Sequence, residues 1–182
     1  MLGFPDQALK TSREAIVLAR QLSDPTGLAR AHFLIGQFHQ FRRDGAEALE
    51  HAEAVQRLAA EQGLPFYLAG GSILRGWSLA KQGQAEEGLA RIREGLAAWS
   101  TRVLCSRNQF RSVLAEVCGK GGKVEEGLAV LAEALQEVED TGNCFCEPEL
   151  HRLKGEFLLT LAPKSPTDAE SCFRQAIASA RR

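Results

Sequence analysis

The segment Gly119-Lys120-Gly121-Gly122-Lys123-Val124 combines glycines with lysines, the residue types from which phosphate-binding loops are built. Such a loop follows a strand, carries a glycine separated by four residues from a Gly-Lys pair, and continues with Ser or Thr. Val117 and Val124 occupy the two diagnostic positions, and a helical pattern precedes the segment. The sequence therefore predicts an ordinary turn between two helices.

Cys144, Cys146 and His151 carry the thiol and imidazole groups that bind zinc. A structural zinc site uses four ligands, and its paired cysteines are usually separated by two to four residues. No second pair of ligands lies nearby in the sequence. We therefore expect no metal here, and we expect Cys146 to pack at the start of a helix with Pro148 just inside it.

The remaining candidates for chemistry are three histidines and two pairs of acids. His32, His39 and His51 lie on predicted helices without a nucleophile or carboxylate arrangement that suggests catalysis, so we interpret them as packing or surface residues. Glu86-Glu87 and Glu125-Glu126 come early in helices, where the helix dipole favours negative charge. The sequence thus predicts no catalytic residue, no cofactor and no enzymatic activity.

The composition describes a folded protein without a charge preference. A length of 182 residues with 45% hydrophobic residues suits one domain or a short repeat array. The 22 Lys and Arg against 23 Asp and Glu offer no overall attraction for nucleic acid or anionic membrane. No membrane span or signal peptide is evident, which predicts a cytoplasmic protein. An odd number of irregularly spaced cysteines predicts free thiols: Cys105, Cys118, Cys144, Cys146 and Cys172.

An internal repeat indicates how the chain is built. The segment 86–90, Glu-Glu-Gly-Leu-Ala, returns unchanged at 125–129, a shift of 39 residues. Repeats of this period are typical of solenoids, in which one supersecondary unit stacks on copies of itself. Helical periodicity runs from end to end, so the sequence predicts an all-α chain.

Glycine, proline and polar turn residues divide the chain into about nine helices. Short turns between them make consecutive helices antiparallel. We predict helices over 5–22, 26–42, 45–62, 65–82, 84–99, 106–120, 123–141, 146–161 and 167–181. The whole of 1–182 is then one repeat domain. Its parts are the second helix of a repeat at 1–22 and four hairpins at 26–62, 65–99, 106–141 and 146–182.

Six of the glycines inside the predicted helices stand at positions where the hairpins repeat a small residue. Each costs about 0.8–1 kcal/mol relative to alanine, so something must offset their presence. Close approach of neighbouring helix backbones, where a side chain would collide, is the natural cause. The residues are Gly36, Gly76, Gly88, Gly95, Gly127 and Gly155.

The pair Ile35-Gly36 and the series Ala169-x3-Phe173-x2-Ala176 resemble the tetratricopeptide repeat, TPR. The spacing here is about 39 to 42 residues instead of about 34, and the terminal proline of that motif is absent. The resemblance implies a right-handed α-α superhelix of TPR-like helical hairpins.

A more specific resemblance covers nearly the whole chain. The segments 74–77, 83–88, 95–99 and 149–156 look like the C-terminal repeat region of large bacterial predicted ATPases. Members of that group often carry a nucleotide cyclase or transcriptional-activator domain and then a nucleotide-binding domain before these repeats. The resemblance implies a scaffold that binds a protein or peptide within a signalling ATPase or regulator. The alternative is a regulatory domain that senses a small effector.

In repeats of this type the first helix of each hairpin lines a concave face. The resemblance therefore gives a candidate binding face with aromatic side chains in its N-terminal half and charges in its C-terminal half. Whether Phe33 and Trp77 face this groove or the hairpin core is left open by periodicity. Uncapped ends of the solenoid would favour self-association. The face comprises Arg30, Phe33, Gln37, Gln40, Phe41, Ile73, Trp77, Lys81, Gln109, Ser112, Glu116, Lys120, Glu149, Arg152, Glu156 and Leu159.

Overall fold

A computed structural model describes residues 4–99, 104–163 and 166–181. Every regular element in these ranges is an α-helix, which confirms the all-α prediction, and each predicted boundary lies within two residues of the observed one. The helices are α1 (Pro5–Gln21), α2 (Pro25–Arg42), α3 (Gly45–Gln62), α4 (Pro65–Lys81), α5 (Ala85–Ala98), α6 (Leu104–Lys120), α7 (Val124–Thr141), α8 (Glu147–Leu161) and α9 (Thr167–Ala180).

Prolines and polar caps set the helix boundaries. Pro25 and Pro65 stand at the first turn of α2 and α4, where a missing N–H costs no hydrogen bond. Asp24 caps α2 by accepting a hydrogen bond of 2.9 Å from the backbone N–H of Gly27. Gly63 ends α3 with a φ of 64°, a left-handed conformation that glycine adopts at little cost.

The chain divides into two compact units, Met1–Trp99 and Ser100–Arg182. The first unit holds α1 to α5 and the second holds α6 to α9. The single repeat domain that we predicted for 1–182 stays a prediction.

The first unit is built from helical hairpins. Helix α2 packs against α3, and α4 packs against α5, while α3 joins the two hairpins by packing against α4. The first helices α2 and α4 also contact each other directly, whereas the second helices α3 and α5 do not do so within the described ranges. The first helices therefore form the inner layer of this unit, as the resemblance to TPR implies.

Helices α4 and α5 approach each other most closely at two glycines. A Cβ atom at Gly76 would lie 2.5 Å from the carbonyl oxygen of Gly88, and a Cβ at Gly88 would lie 2.5 Å from the carbonyl oxygen of Gly76. A Cβ at Gly95 would lie 2.7 Å from the carbonyl oxygen of Ala69. Real Cβ atoms do not come this close to backbone, which confirms the predicted reason for these glycines.

The second unit is also built from helical hairpins, but its Gly155 faces a side chain of the neighbouring helix. Helix α6 packs against α7 and α8 against α9, with further contacts between α7 and α8 and between α6 and α8. At Gly155 an added Cβ would lie 2.7 Å from the ring of Phe173, so this glycine makes room for a side chain and not for a backbone. The core of the unit includes Ala115, Val124, Leu131, Ala134, Val138, Leu150, Leu153 and Phe157.

The glycine-rich segment 119–124 forms the predicted turn. Lys120 ends α6, Gly122 has a φ of 73°, and Val124 begins α7. Cys146 is buried at the N-cap of α8, which confirms its predicted packing role. The side chains of Cys105 and Arg182 lie outside the described part of the chain.

Candidate binding face

Helix α2 exposes one stripe of side chains on the predicted face. Arg30 and Phe41 are exposed and Gln37 is half-buried, and these residues follow one another at spacings of seven and four. Leu34 completes the stripe, although the sequence analysis missed it. Its side chain is 48% exposed and that of Phe41 is 43% exposed. We call Arg30, Leu34, Gln37 and Phe41 the α2 stripe.

Phe33 does not belong to the exposed part of the face. It is only 5% exposed, and its ring lies 6.2 Å from that of Phe66, 5.9 Å from that of Tyr67 and 6.3 Å from that of Trp99. The Phe33 ring also fills the space above Gly70, where an added Cβ atom would collide with it. Of the two orientations that periodicity left open for Phe33, the structure shows the core, so Phe33 is removed from the candidate face.

Ile73 and Trp77 on α4 are also core residues. Both are fully buried, so neither offers a surface to a partner, and their assignment to the face is corrected in the same way. Lys81, one turn after Trp77, is exposed and places its Nζ atom 5.8 Å from the centre of the Trp77 ring. Gln40 on α2 is buried as well.

The inner face of the second unit is partly closed in the same way. Gln109 and Ser112 on α6 are buried, and the Ser112 hydroxyl donates a hydrogen bond of 2.6 Å to the backbone oxygen of Gln109. Neither residue is accessible to a partner. Leu159, the last predicted residue of the face, is 36% exposed near the end of α8.

Five charged residues of the predicted face do come together in the second unit. On α8, Arg152 donates hydrogen bonds of 2.7 Å to both carboxylate oxygens of Glu149 and pairs with Glu156 as well. On α6, the Lys120 Nζ atom lies 3.1 Å from a carboxylate oxygen of Glu116. We call these residues, Glu116, Lys120, Glu149, Arg152 and Glu156, the Arg152 cluster.

The carboxylates of this cluster stabilise the charge of Arg152. The hydrogen bond from Arg152 to Glu149 raises the pKa of the guanidinium, and the charges of Glu149, Glu156 and Glu116 raise it further against the opposing effect of burial. Glu149 and Glu156 contact Arg152 from its own helix, α8, and Glu116 acts on it from α6 through its charge. The cluster is internally paired and carries little uncompensated charge.

The equivalent residues of the next repeat show how the positions of the α2 stripe can contact a neighbouring helix. The residues forty positions later are Gly70, Leu74, Trp77 and Lys81 on α4. The first two of these face α2: Leu74 places its Cδ1 atom 2.9 Å from the site of a Cβ on Gly36, and Gly70 lies under the Phe33 ring. On α4 the first two positions thus form a contact between two first helices, whereas their equivalents on α2, Arg30 and Leu34, are accessible.

Three histidines come together between α2 and α3, which the sequence analysis did not anticipate. The Nδ1 atoms of His32 and His51 lie 2.9 Å apart, and the rings of His39 and His51 stack at 5.7 Å with an angle of 13°. The signal that could have revealed them is the seven-residue spacing of His32 and His39, which places both on one side of α2. We call these residues the histidine cluster.

The cluster is not arranged as a metal site. Within the described residues no group of three or more His, Cys, Asp or Glu side chains could hold a metal ion. Cys144 is exposed, and His151 lies 3.8 Å from Glu147 on its own helix. A groove of about 300 Å³ borders this histidine between α7, α8 and α9.

Comparisons with known proteins identify the architecture. No family model matches the chain, and no curated protein matches it. Two crystal structures of a Podosopora anserina protein, named as a kinesin light chain with nearly identical TPR-like repeats, do match. The fold is a TPR-like helical repeat. One structure has a TM-score of 0.63 at 12% identity and the other 0.60 at 13%, each covering 98% of this chain and 97% of that chain.

This likeness concerns the fold, since both identities are low. It agrees with the hairpins of the two units and with the inner position of α2 and α4 in the first. Within the described ranges, the length and hydropathy needed for a membrane crossing are not reached by any helix.

Proposed function

We propose that this chain is a non-catalytic helical-repeat scaffold that binds a helical segment of a partner protein along α2. One observation carries the proposal. The α2 stripe is accessible, whereas the equivalent positions Gly70 and Leu74 of α4 pack against another helix of the repeat. A surface with this spacing and chemistry suits an amphipathic helix, which binds through apolar residues three, four and seven positions apart.

The composition of the stripe supports the same partner. Phe41 and Leu34 offer apolar area, and Arg30 and Gln37 offer hydrogen-bond donors at its edge. Aromatic and arginine side chains contribute most to binding at protein interfaces. A large phosphate ligand would instead need several converging cations, and the α2 stripe has one.

The proposal is tested with a displayed library of helical 18-residue peptides. Peptides enriched on the protein should lose at least about tenfold in affinity against Phe41→Ala, which corresponds to about 1.4 kcal/mol. The matched control is Ile177→Ala, because Ile177 on α9 is also an exposed apolar side chain. Fluorescence anisotropy measures each affinity. Equal affinity for the parent protein and for Phe41→Ala would contradict binding through the α2 stripe.

The wider context of the scaffold rests on the resemblance to the repeat region of large bacterial predicted ATPases. The segments that carry it, including 83–88 and 149–156, support a role as the partner-binding part of a cytoplasmic signalling ATPase or regulator. The neighbouring coding sequence tests this part. A nucleotide-binding or cyclase module encoded in frame is the expected result, and an unrelated neighbourhood contradicts it.

A second candidate function is the sensing of a small polar effector. The groove of about 300 Å³ between α7, α8 and α9 favours it, because that volume suits a small ligand and Glu147, His151 and Lys154 lie along it. A metabolite library screened by thermal shift is the test. A stabilising metabolite whose effect disappears in Lys154→Ala supports sensing, and binding of helical peptides without any such metabolite supports the scaffold.

A further inference from the structure

The histidine cluster lies inside the contact between α2 and α3. His32 and His39 are on α2 and His51 is on α3, with 5.1 Å between the ring centres of His32 and His51. The Cβ atom of His51 is 3.5 Å from the site of a Cβ on Gly36, so the third ring enters the hairpin where the two helices are close. A change at these rings acts directly on the packing of α2 against α3.

The hydrogen bond within the cluster depends on protonation. At 2.9 Å, one ring donates its Nδ1–H to the bare Nδ1 nitrogen of the other. The accepting ring must therefore be neutral, because an imidazolium has a proton on both nitrogens and no acceptor. Full protonation of His32 and His51 removes the bond and leaves two cations in contact.

The surroundings of the cluster contain more positive than negative charge. From α1, Arg13 acts on His51 and Arg20 acts on His32, and from α3, Arg57 acts on His32. Glu50 opposes them on both rings. Additional cations in this hairpin would therefore repel their neighbours.

Among the described residues, the other charged groups near the cluster face His39 or lie on α4, and none of them is paired with His32 or His51. The Oδ2 atom of Asp44 lies 3.4 Å from the Nδ1 atom of His39 and is also 3.1 Å from the Nε atom of Arg42. Helix α4 packs against both α2 and α3, but its cations contact side chains outside the histidine cluster. Arg75 donates to the side chain of Gln56 at 3.3 Å, and Lys81 lies over Trp77.

Burial and these charges disfavour the protonated rings. Burial, followed by the charges of His32 and His39, lowers the pKa of His51 from 6.5 to about 4. Burial and then Arg20 also lower the pKa of His32. In the unfolded chain both rings return to ordinary values near 6.5. Below that pH the opened chain binds more protons than the folded hairpin, so acid favours opening.

We propose that the histidine cluster makes the α2–α3 hairpin an acid-sensitive contact, which is closed when His32 and His51 share their hydrogen bond and opens when both of these rings are protonated. Acidification separates α2 from α3 and thereby loosens the first unit. Return to neutral pH restores the Nδ1–Nδ1 hydrogen bond and the stacked rings. This inference is independent of the proposed partner binding, because it concerns the hairpin itself.

Hydrogen–deuterium exchange measured between pH 7 and pH 4.5, with rates corrected for the intrinsic effect of pH, tests the proposal. Amide protection in α2 and α3 should fall at least tenfold in the parent protein and less than threefold in His51→Gln, which cannot be protonated. The control His151→Gln, in the second unit, should behave as the parent protein does. Equal loss of protection in the parent protein and His51→Gln would overturn the proposal.

A second measurement decides the question if His51→Gln does not fold. Titration of the histidine ring protons of the parent protein by NMR should give a midpoint for His51 below 5, with His32 also below its ordinary value. Because the two rings share a hydrogen bond, their titrations should be coupled. Midpoints near 6.5 for both rings would contradict the acid-sensitive contact.

Discussion

The two phenylalanines Phe33 and Phe41 differ in role although they lie on the same helix, α2. Phe33 is buried among other rings, while Phe41, eight residues later on the same helix, is 43% exposed. At 100° per residue the two side chains are only about 80° apart around α2. The apolar pattern therefore includes both, and only the position of neighbouring helices separates a core residue from a surface residue.

The same reasoning explains which site residues the sequence could identify. The resemblance assigns Glu149, Arg152 and Glu156 to one face, and their three- and four-residue spacings place them on one side of a single helix. The histidine cluster was missed because His51 comes from another helix. Contacts between helices depend on the rotation of each helix about its axis, which composition and spacing do not determine.

A comparison of two phenylalanine variants tests the difference at the residue scale. Phe33→Ala should lower the free energy of unfolding by about 3–5 kcal/mol, because it empties a ring-sized space in the core. Phe41→Ala should change it by about 0.5 kcal/mol or less, as surface substitutions usually do. Urea denaturation measures both. Similar losses for the two variants would contradict their assignment to core and surface.

At the scale of the element, the sequence predicted the helices more accurately than their contacts. Proline at the first turns and glycine after the last turns identified the boundaries, since these residues stop or start a helix through backbone geometry alone. The glycines inside the helices predicted close approach of helix backbones, which is confirmed at Gly76 and wrong at Gly155. Gly76 faces the backbone of α5, whereas Gly155 faces the ring of Phe173.

A substitution in α4 tests the backbone contact. Gly76→Leu should destabilise the first unit by roughly 1–3 kcal/mol, because its side chain must displace the Gly88 carbonyl and the helices of the hairpin. The control is Ala90→Leu, at an exposed position of α5, which should be nearly neutral. Thermal unfolding compares them. A melting temperature for Gly76→Leu equal to that of the parent protein would refute the close-packing assignment.

At the scale of the whole molecule, the internal repeat and the helical periodicity predicted an all-α solenoid. The TPR-like form of that solenoid came from the resemblance of Ile35-Gly36 and of the series from Ala169 to Ala176 to the tetratricopeptide repeat. The division after Trp99 had no comparable signal in the sequence. The Trp99 ring lies 4.4 Å from that of Phe66, so the last residue of the first unit packs back into the same unit.

The apolar surface of α1 supports the prediction of self-association. Val17, Leu18 and Leu22 are more than half exposed, and an open groove of about 570 Å³ lies beside the first two. The average mass from light scattering should rise with protein concentration, and Leu18→Glu should reduce that rise because it places a charge in the contact. Leu68→Glu, which places the same charge at an exposed apolar position of α4 outside this groove, is the control. A constant mass across the dilution series would contradict self-association.

The reciprocal contact between Gly76 and Gly88 has a consequence for how this hairpin can change in evolution. Each residue leaves room for the carbonyl oxygen of the other, so replacing either one forces α4 and α5 apart. Once they have separated, the second glycine no longer relieves a collision and loses the reason for its presence. The double variant should therefore lose less stability than the sum of the losses of the two single variants. In descendants of this chain the two glycines should be kept together or lost together.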